Sequence, residues 1–133
     1  MEDPGKKHPL AIKAQEIVDT VFALCADLEG DEFSKSYQPL LVEAATMIGA
    51  KTYSGTKTDS RLLALQNAAI IRYQAEFLLT STSGMKDMTT ANHDYLNVLR
   101  KEILEFQVLF VEWVKYIKTE LDNDMEDEWG LFE

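Results

Sequence analysis

Apolar residues recur three or four positions apart along the last long stretch of the chain, between Asn92 and Leu121. The set comprises Leu96, Leu99, Ile103, Phe106, Phe110, Trp113, Ile117 and Leu121. Side chains at this spacing share one face of an α-helix, and neither Pro nor Gly interrupts the stretch. The pattern predicts a helix of about 30 residues, roughly 45 Å long, with an apolar face that the upstream chain must cover.

Three shorter stretches upstream show the same periodicity, with polar residues on the opposite side of each. We place these helices at about residues 10–28, 37–54 and 59–81, ahead of the long helix at 92–121. Pro9 and Pro39 suit the first turns of the first two helices, where the missing N–H of proline costs no hydrogen bond. The connectors are short, so successive helices should run antiparallel. The predicted fold is all-α, an up-down-up-down antiparallel four-helix bundle over residues 1–121, followed by an acidic tail at 122–133.

Glycine and short polar side chains set the predicted helix ends. Ser54 and Gly55 should end the second helix, and a loop over residues 81–91 should separate the third helix from the fourth. Gly49 lies inside the second helix among small residues, and glycine is about 1 kcal/mol less favourable there than alanine. We therefore expect another helix to approach closely at Gly49.

The third helix is apolar around much of its circumference, which is typical of a helix buried on more than one side. Either it lies centrally within the monomer, or its outer face meets another subunit. A four-helix bundle has no central place, so we favour a contact between subunits. The predicted oligomer interface comprises Leu62, Leu65, Ala69, Ile70, Tyr73 and Phe77.

The net charge of −10 comes mostly from the tail. Residues 119–133 hold seven acidic residues and no basic one, and without them 16 acidic residues face 13 basic residues. Dense phosphate binding needs clustered Lys and Arg, so this balance disfavours nucleic acid as a partner.

The sequence also bears on the compartment. No run approaches the roughly 18 uncharged apolar residues that a membrane span requires, and the first nine residues lack the apolar core of a signal peptide. The one cysteine, Cys25, lies among apolar neighbours and cannot form an internal disulfide. We interpret it as a small core residue in a reducing environment and expect a cytoplasmic protein with no membrane partner.

The second helix ends in Met-Ile-Gly-Ala-Lys-Thr-Tyr-Ser-Gly, residues 47–55, and a short polar turn, a third helix, a longer loop and an amphipathic helix follow. This layout resembles the S23-like four-helix-bundle family, known from open reading frames within intervening sequences of bacterial 23S ribosomal RNA genes. That family typically has Ser-Ile, two further residues and Asn-Ile-Ala-Glu-Gly here, of which Ile48 and Gly55 are kept. The resemblance implies a homo-oligomer, since members of this fold assemble as pentamers, and no catalysis. Some relatives are suspected of nucleic-acid association.

No constellation of residues specifies a reaction. A di-iron or di-manganese bundle needs Glu-x-x-His pairs on facing helices, whereas neither His8 nor His93 follows a Glu by three positions. Helical ribonucleases of the HEPN type resemble such bundles in shape, but their motif, Arg followed by His after four to six residues, is absent. Glu76, inside an apolar stretch, is expected to pair with Arg72 one turn earlier. We predict no catalytic residue, no cofactor and no metal site.

Basic residues gather at one turn. Lys51, Lys57 and Arg61 surround the connection between the second and third helices. It is either an ordinary solvated turn or, repeated around a ring of subunits, a basic collar for nucleic acid.

The end of the chain carries three large apolar residues, Trp129, Leu131 and Phe132, behind an acidic run. They either offer a protein partner aromatic anchors behind a steering charge, or Trp129 and Phe132 fold back over the end of the bundle or over a neighbouring subunit. Together these features predict a non-enzymatic, oligomeric scaffold or adaptor that works through protein–protein association. The alternative is an RNA-associated accessory protein that uses the ring of basic turns.

Overall fold

Helices account for most of the chain in the computed structural model, which describes residues 7–28, 32–88, 94–123 and 125–132. They are α1 (Pro9–Asp27), α2 (Glu32–Lys35), α3 (Gln38–Lys57), α4 (Arg61–Met88) and α5 (Asp94–Glu120). The four long helices follow one another around a square, since α1 contacts α3 and α5, and α4 contacts the same two helices. This arrangement confirms the all-α, up-down-up-down bundle, and the one-turn helix α2 lies in the connector between α1 and α3.

Helices α1 and α3 begin at the prolines that the sequence places in their first turns. Pro9 is the first residue of α1, and His8 caps the helix by accepting a hydrogen bond at Nδ1 from the Leu10 amide, 3.1 Å away. Pro39 is the second residue of α3. Both prolines therefore occupy first-turn positions, where no intrahelical N–H bond is lost.

The apolar face predicted for the long helix is buried in the bundle. Six of its eight residues are buried in α5, while Phe110 and Leu121 are half-buried against the core. Phe110 lies between Phe106 and Trp113, with ring centroids 6.2 Å and 5.8 Å apart. The face of α5 thus supplies the large side chains around which the other helices pack.

Gly55 lies inside α3 and does not end it, so the predicted boundary is wrong. A Cβ atom on this glycine would come within 3.0 Å of the Trp113 Cη2 atom and 3.1 Å of the Asn67 Cβ atom. At Gly49 a Cβ atom would meet the Val18 Cγ2 atom at 3.4 Å, an ordinary contact. The close approach expected at Gly49 is therefore at Gly55, where α3 meets side chains of both α4 and α5.

The third long helix is also longer than predicted, since residues 81–88 continue α4 where a loop was expected. Thr82 and Met85 are buried and extend the core-facing side of the helix. From α5, Arg100 Nη1 donates to the Leu79 carbonyl at 2.7 Å and to the Ser83 hydroxyl at 2.8 Å. These contacts stabilise a helical turn that local propensity disfavours. The predicted start of the fourth helix, at residue 92, lies outside the described residues.

Candidate functional site

The six residues predicted as an oligomer interface on α4 do not form one exposed face. Leu62 is only 7% exposed, Leu65, Ile70 and Phe77 are half-buried, and Ala69 and Tyr73 are exposed. Leu65 and Phe77 pack against the core of their own subunit, because α4 lies between α3 and α5 and finds apolar neighbours on both sides. Contact between subunits stays a prediction, and of these six residues Tyr73, at 69% exposure, has the most surface to offer it.

A second row of apolar side chains lies exposed on α5. Leu104, Val108 and Val111 are spaced four and three residues apart, so they form one row along the helix surface; we call them the α5 stripe. Lys101 and Lys115 continue the same spacing at its two ends and are also exposed. In the sequence, the α5 stripe is a second set of apolar residues spaced three or four positions apart. The larger residues of the buried face dominate the pattern and hide this second set.

A groove of about 330 Å³ lies between α4 and α5, next to the α5 stripe. We call it the α4–α5 groove; its apolar lining comprises Ile71, Ala75, Leu79, Ile103, Phe106, Phe110 and Val111. These two helices share the least extensive contact among the neighbouring long helices. Ala75 carries only a methyl group, which leaves space between the helices. Val111 belongs to both features, so groove and stripe form one continuous apolar surface.

Two of the three polar side chains that line the groove form a hydrogen bond with each other. Arg72 Nε donates to Glu76 Oε1 at 3.2 Å, which confirms the pair expected from the sequence. Both side chains are well exposed, so this ion pair adds little stability. Gln107 is the remaining polar residue of the lining.

The C-terminal residues 125–132 form a compact turn built around one carboxylate; we call this segment the C-terminal turn. Asp127 accepts hydrogen bonds from the amides of Trp129 at 3.0 Å and of Leu131 and Phe132 at 2.6 Å each. The Gly130 amide donates to the Asp127 carbonyl at 3.1 Å, and Gly130 has φ of +65°, a left-handed conformation that glycine adopts without strain. The amides, above all that of Phe132, lower the pKa of Asp127, because they stabilise its charged form.

The C-terminal turn is attached to the bundle but presents two large side chains to solvent. The Ser60 hydroxyl, in the connector before α4, donates to the Met125 sulfur at 3.3 Å. Phe132 is half-buried, whereas Trp129 is 89% exposed and Leu131 is 72% exposed. The segment is therefore attached at the end of the bundle, with Phe132 half-buried and with Trp129 and Leu131 exposed. Contact of these two side chains with a partner stays a prediction.

The basic residues around the connector between α3 and α4 are partly engaged. Lys57 Nζ donates to the Tyr53 hydroxyl at 2.9 Å and lies 4.0 Å from the centroid of that ring. This contact lowers the pKa of Tyr53 by favouring the phenolate. Lys51 and Arg61 are half-buried. The C-terminal turn is attached at Ser60 in the same connector, so its acidic residues lie at this end of the bundle.

A polar seam joins α1 to α5. Lys13 Nζ lies 2.6 Å from a Glu16 oxygen and 3.2 Å from a Glu105 oxygen, and the Thr20 hydroxyl donates to the Glu102 carboxylate. Burial raises the pKa of Glu102, and the hydrogen bond from Thr20 partly opposes this. The seam connects two helices of the bundle. Across all the described residues, no group of three His, Cys, Asp or Glu side chains is placed to hold a metal ion.

Comparison with protein-family models, curated proteins and solved structures finds no match for this chain. The four long helices establish an all-α bundle, and no family match supports the S23-like assignment. Within the described residues, no helix is long and apolar enough to cross a membrane.

Proposed function

We propose that this protein is a non-enzymatic scaffold or adaptor that works by associating with further copies of itself. The observation that carries the proposal is the continuous apolar surface formed by the α5 stripe and the α4–α5 groove. Contiguous apolar surface with a polar rim is typical of protein contact sites. This surface lies along α4 and α5, the pair of neighbouring long helices with the least extensive contact.

The same surface is less suited to a small molecule. A small-molecule pocket combines enclosing apolar walls with a few polar groups that converge on the ligand. Here the Arg72 and Glu76 side chains bond each other, which leaves Gln107 as the polar lining residue whose side chain has no hydrogen bond to another described residue. An open groove beside an exposed apolar row suits a helix or turn of another protein chain.

Two valines on α5 provide a matched test. Val111 belongs to the groove and the stripe, whereas Val98 belongs to neither, and each is 47% exposed. We expect Val111→Asp to weaken self-association, measured by sedimentation velocity over a concentration series, and Val98→Asp to leave it unchanged. A wild-type protein that stays monomeric at every concentration contradicts the proposal, and equal losses in both variants would remove the groove and stripe as the contact.

The α4 face predicted from the sequence is tested in the same assay. Tyr73→Ala removes the most exposed member of that face, and a loss of association in this variant alone would assign the contact to α4. The S23-like resemblance adds a closed pentamer as the expected assembly, and its mass separates it from a dimer in the same measurement. We place the association in the cytoplasm, where the unpaired Cys25 stays reduced.

The RNA-associated alternative is supported by the gathering of Lys51, Lys57 and Arg61 at one connector. The engagement of Lys57 with Tyr53 and the nearby acidic C-terminal turn count against it. Retention of structured RNA at low salt, lost both at high salt and in Lys51→Gln, would favour this alternative. Retention that is unaffected by the substitution would remove these residues from the contact.

A further inference from the structure

We infer that the α4–α5 groove of one copy receives the C-terminal turn of a second copy, with Trp129 and Leu131 as the apolar anchors. The inference rests on the proposed self-association and identifies the two surfaces that meet. Four observations support it: the ordered turn, the apolar lining of the groove, the charges near both surfaces, and the separation of turn and groove within one subunit.

The C-terminal turn is ordered before any contact is made. Three amides converge on the Asp127 carboxylate, so the backbone that carries Trp129 and Leu131 is already fixed. An anchor held in its binding conformation loses less conformational entropy on association. Tryptophan is also the residue type most enriched among those that dominate the energy of protein interfaces, and Trp129 is almost fully exposed.

The α4–α5 groove has the size and chemistry that such an anchor needs. Its volume of about 330 Å³ is near the lower end of the range for ligand pockets, roughly 300–1,000 Å³, which suits one or two large side chains. Its walls are aromatic and aliphatic. An indole N–H usually finds an acceptor when it is buried, and the side-chain oxygens of Glu76 and Gln107 lie at this rim.

The charges on the two surfaces are complementary although the chain as a whole carries −10. Lys101 and Lys115 are exposed at the two ends of the α5 stripe, and Lys118 is exposed one turn further along α5. None of the three forms an ion pair with a described residue. Glu126 and Glu128 are exposed on either side of Asp127 in the turn. The acidic turn would therefore meet unpaired lysines next to the α5 stripe, which favours this pairing over random apolar contact.

The C-terminal turn does not occupy the groove of its own subunit. Met125 contacts Ser60, next to the start of α4 at Arg61, and Ile71, the first α4 residue of the groove lining, lies 10 residues further along the helix, roughly 15 Å at 1.5 Å per residue. Trp129 and Leu131 are 89% and 72% exposed in their own subunit, so we assign the occupant of the groove to another copy.

Turn and groove are different surfaces, so the contact joins unlike patches. This property gives a test by complementation. One variant, Trp129→Ala with Leu131→Ala, lacks the anchors but keeps the groove; the other, Val111→Asp, lacks the groove but keeps the turn. We expect each variant alone to associate at least about tenfold more weakly than the wild type, and an equimolar mixture to form a complex with one copy of each.

The outcomes separate this inference from the proposed function. If Val111→Asp weakens association but the turn variant does not, self-association stands and the turn is not its occupant. If both variants weaken association but the mixture stays monomeric, turn and groove do not bind each other, and the inference is overturned. A wild-type protein that is monomeric throughout overturns both. Val98→Asp, mixed with either variant, must behave as the wild type does.

Discussion

Replacing Gly55 by alanine should destabilise the protein, whereas the same change at Gly84 should stabilise it. Both glycines lie inside helices, α3 and α4, where alanine is favoured over glycine by about 0.5–1 kcal/mol. At Gly84 an added Cβ atom would meet nothing within 4 Å. We therefore expect Gly84→Ala to raise the free energy of unfolding by about that amount.

At Gly55 the same gain is opposed by steric overlap. The added Cβ atom would lie 3.0 Å from Trp113 Cη2, 3.1 Å from Trp113 Cζ2 and 3.1 Å from Asn67 Cβ. Trp113 is buried and its ring contacts Phe110, so it has little room to move. Overpacking of a core by one carbon costs roughly 1–3 kcal/mol. We therefore expect Gly55→Ala to lower the free energy of unfolding by about 1 kcal/mol. Gly55→Ala and Gly84→Ala should then differ in stability by about 2 kcal/mol.

Urea unfolding followed by circular dichroism measures this difference, with the slope of the transition as a check that both variants remain two-state. The overlap with Trp113 can be isolated by repeating Gly55→Ala in a Trp113→Phe background, where the Cη2 and Cζ2 atoms are absent. The cost of the alanine should shrink there, and the coupling between the two sites should exceed about 0.5 kcal/mol. Gly55→Ala that is as stable as Gly84→Ala would refute the account of Gly55 as a point of close helix approach.

Two further predictions concern polar groups with contrasting surroundings. Thr52 and Thr82 are both fully buried, but the Thr52 hydroxyl has no hydrogen-bond partner among the described residues, whereas that of Thr82 donates to the Leu78 carbonyl at 2.7 Å. Thermal unfolding should show Thr52→Val raising stability by about 1 kcal/mol and Thr82→Val lowering it by about 1–2 kcal/mol; equal effects would contradict the assignment. The pKa of Asp127 is lowered from its ordinary value of 3.8, so its contribution to the turn is complete above that value and is lost as pH falls through the lowered pKa. The Trp129 amide proton shift, followed by NMR, should therefore titrate with a midpoint below 3.8 and should not titrate in Asp127→Asn; a midpoint at or above 3.8 would contradict it.

The fold was largely predictable because the strongest sequence signal, the apolar face of α5, reflects burial directly. The ends of the helices were harder to predict. Gly55 and the run from Ser81 to Gly84 look like helix breakers by local propensity, yet tertiary contacts decide both places. At Gly55 an added Cβ atom would lie only 3.0 Å from Trp113, and Arg100 donates hydrogen bonds to the last turns of α4. Propensity is a weak guide wherever such contacts exist.

The candidate site was harder to predict for a different reason. Periodicity identifies which residues share a face, but it does not identify the helix that covers the face. Phe77, for example, is half-buried against the core of its own subunit because α4 lies between two neighbouring helices. The groove depends on Ala75 being small at the position where α4 faces α5, a pairing that no single helix pattern contains. The ordered turn around Asp127 depends on backbone conformation, including the positive φ of Gly130.

Electrostatics gives self-association through turn and groove a characteristic dependence on salt. Copies that each carry −10 repel one another over long distances, while the lysines at the ends of the α5 stripe and the glutamates of the turn attract over short ones. The screening length is about 30 Å at 0.01 M ionic strength, about 10 Å at 0.1 M and about 3 Å at 1 M. Moderate salt should therefore screen the repulsion between whole molecules first and leave the local attraction largely in place.

The dissociation constant, measured by sedimentation, should consequently pass through a minimum near about 0.1 M ionic strength and rise again toward 1 M. Lys115→Gln should flatten the rise at high salt, because it removes part of the local attraction. Association that weakens steadily from the lowest salt would mean that charge pairing outweighs the repulsion throughout. Association that strengthens steadily would mean that the contact is apolar alone, and that the lysines along α5 take no part in it.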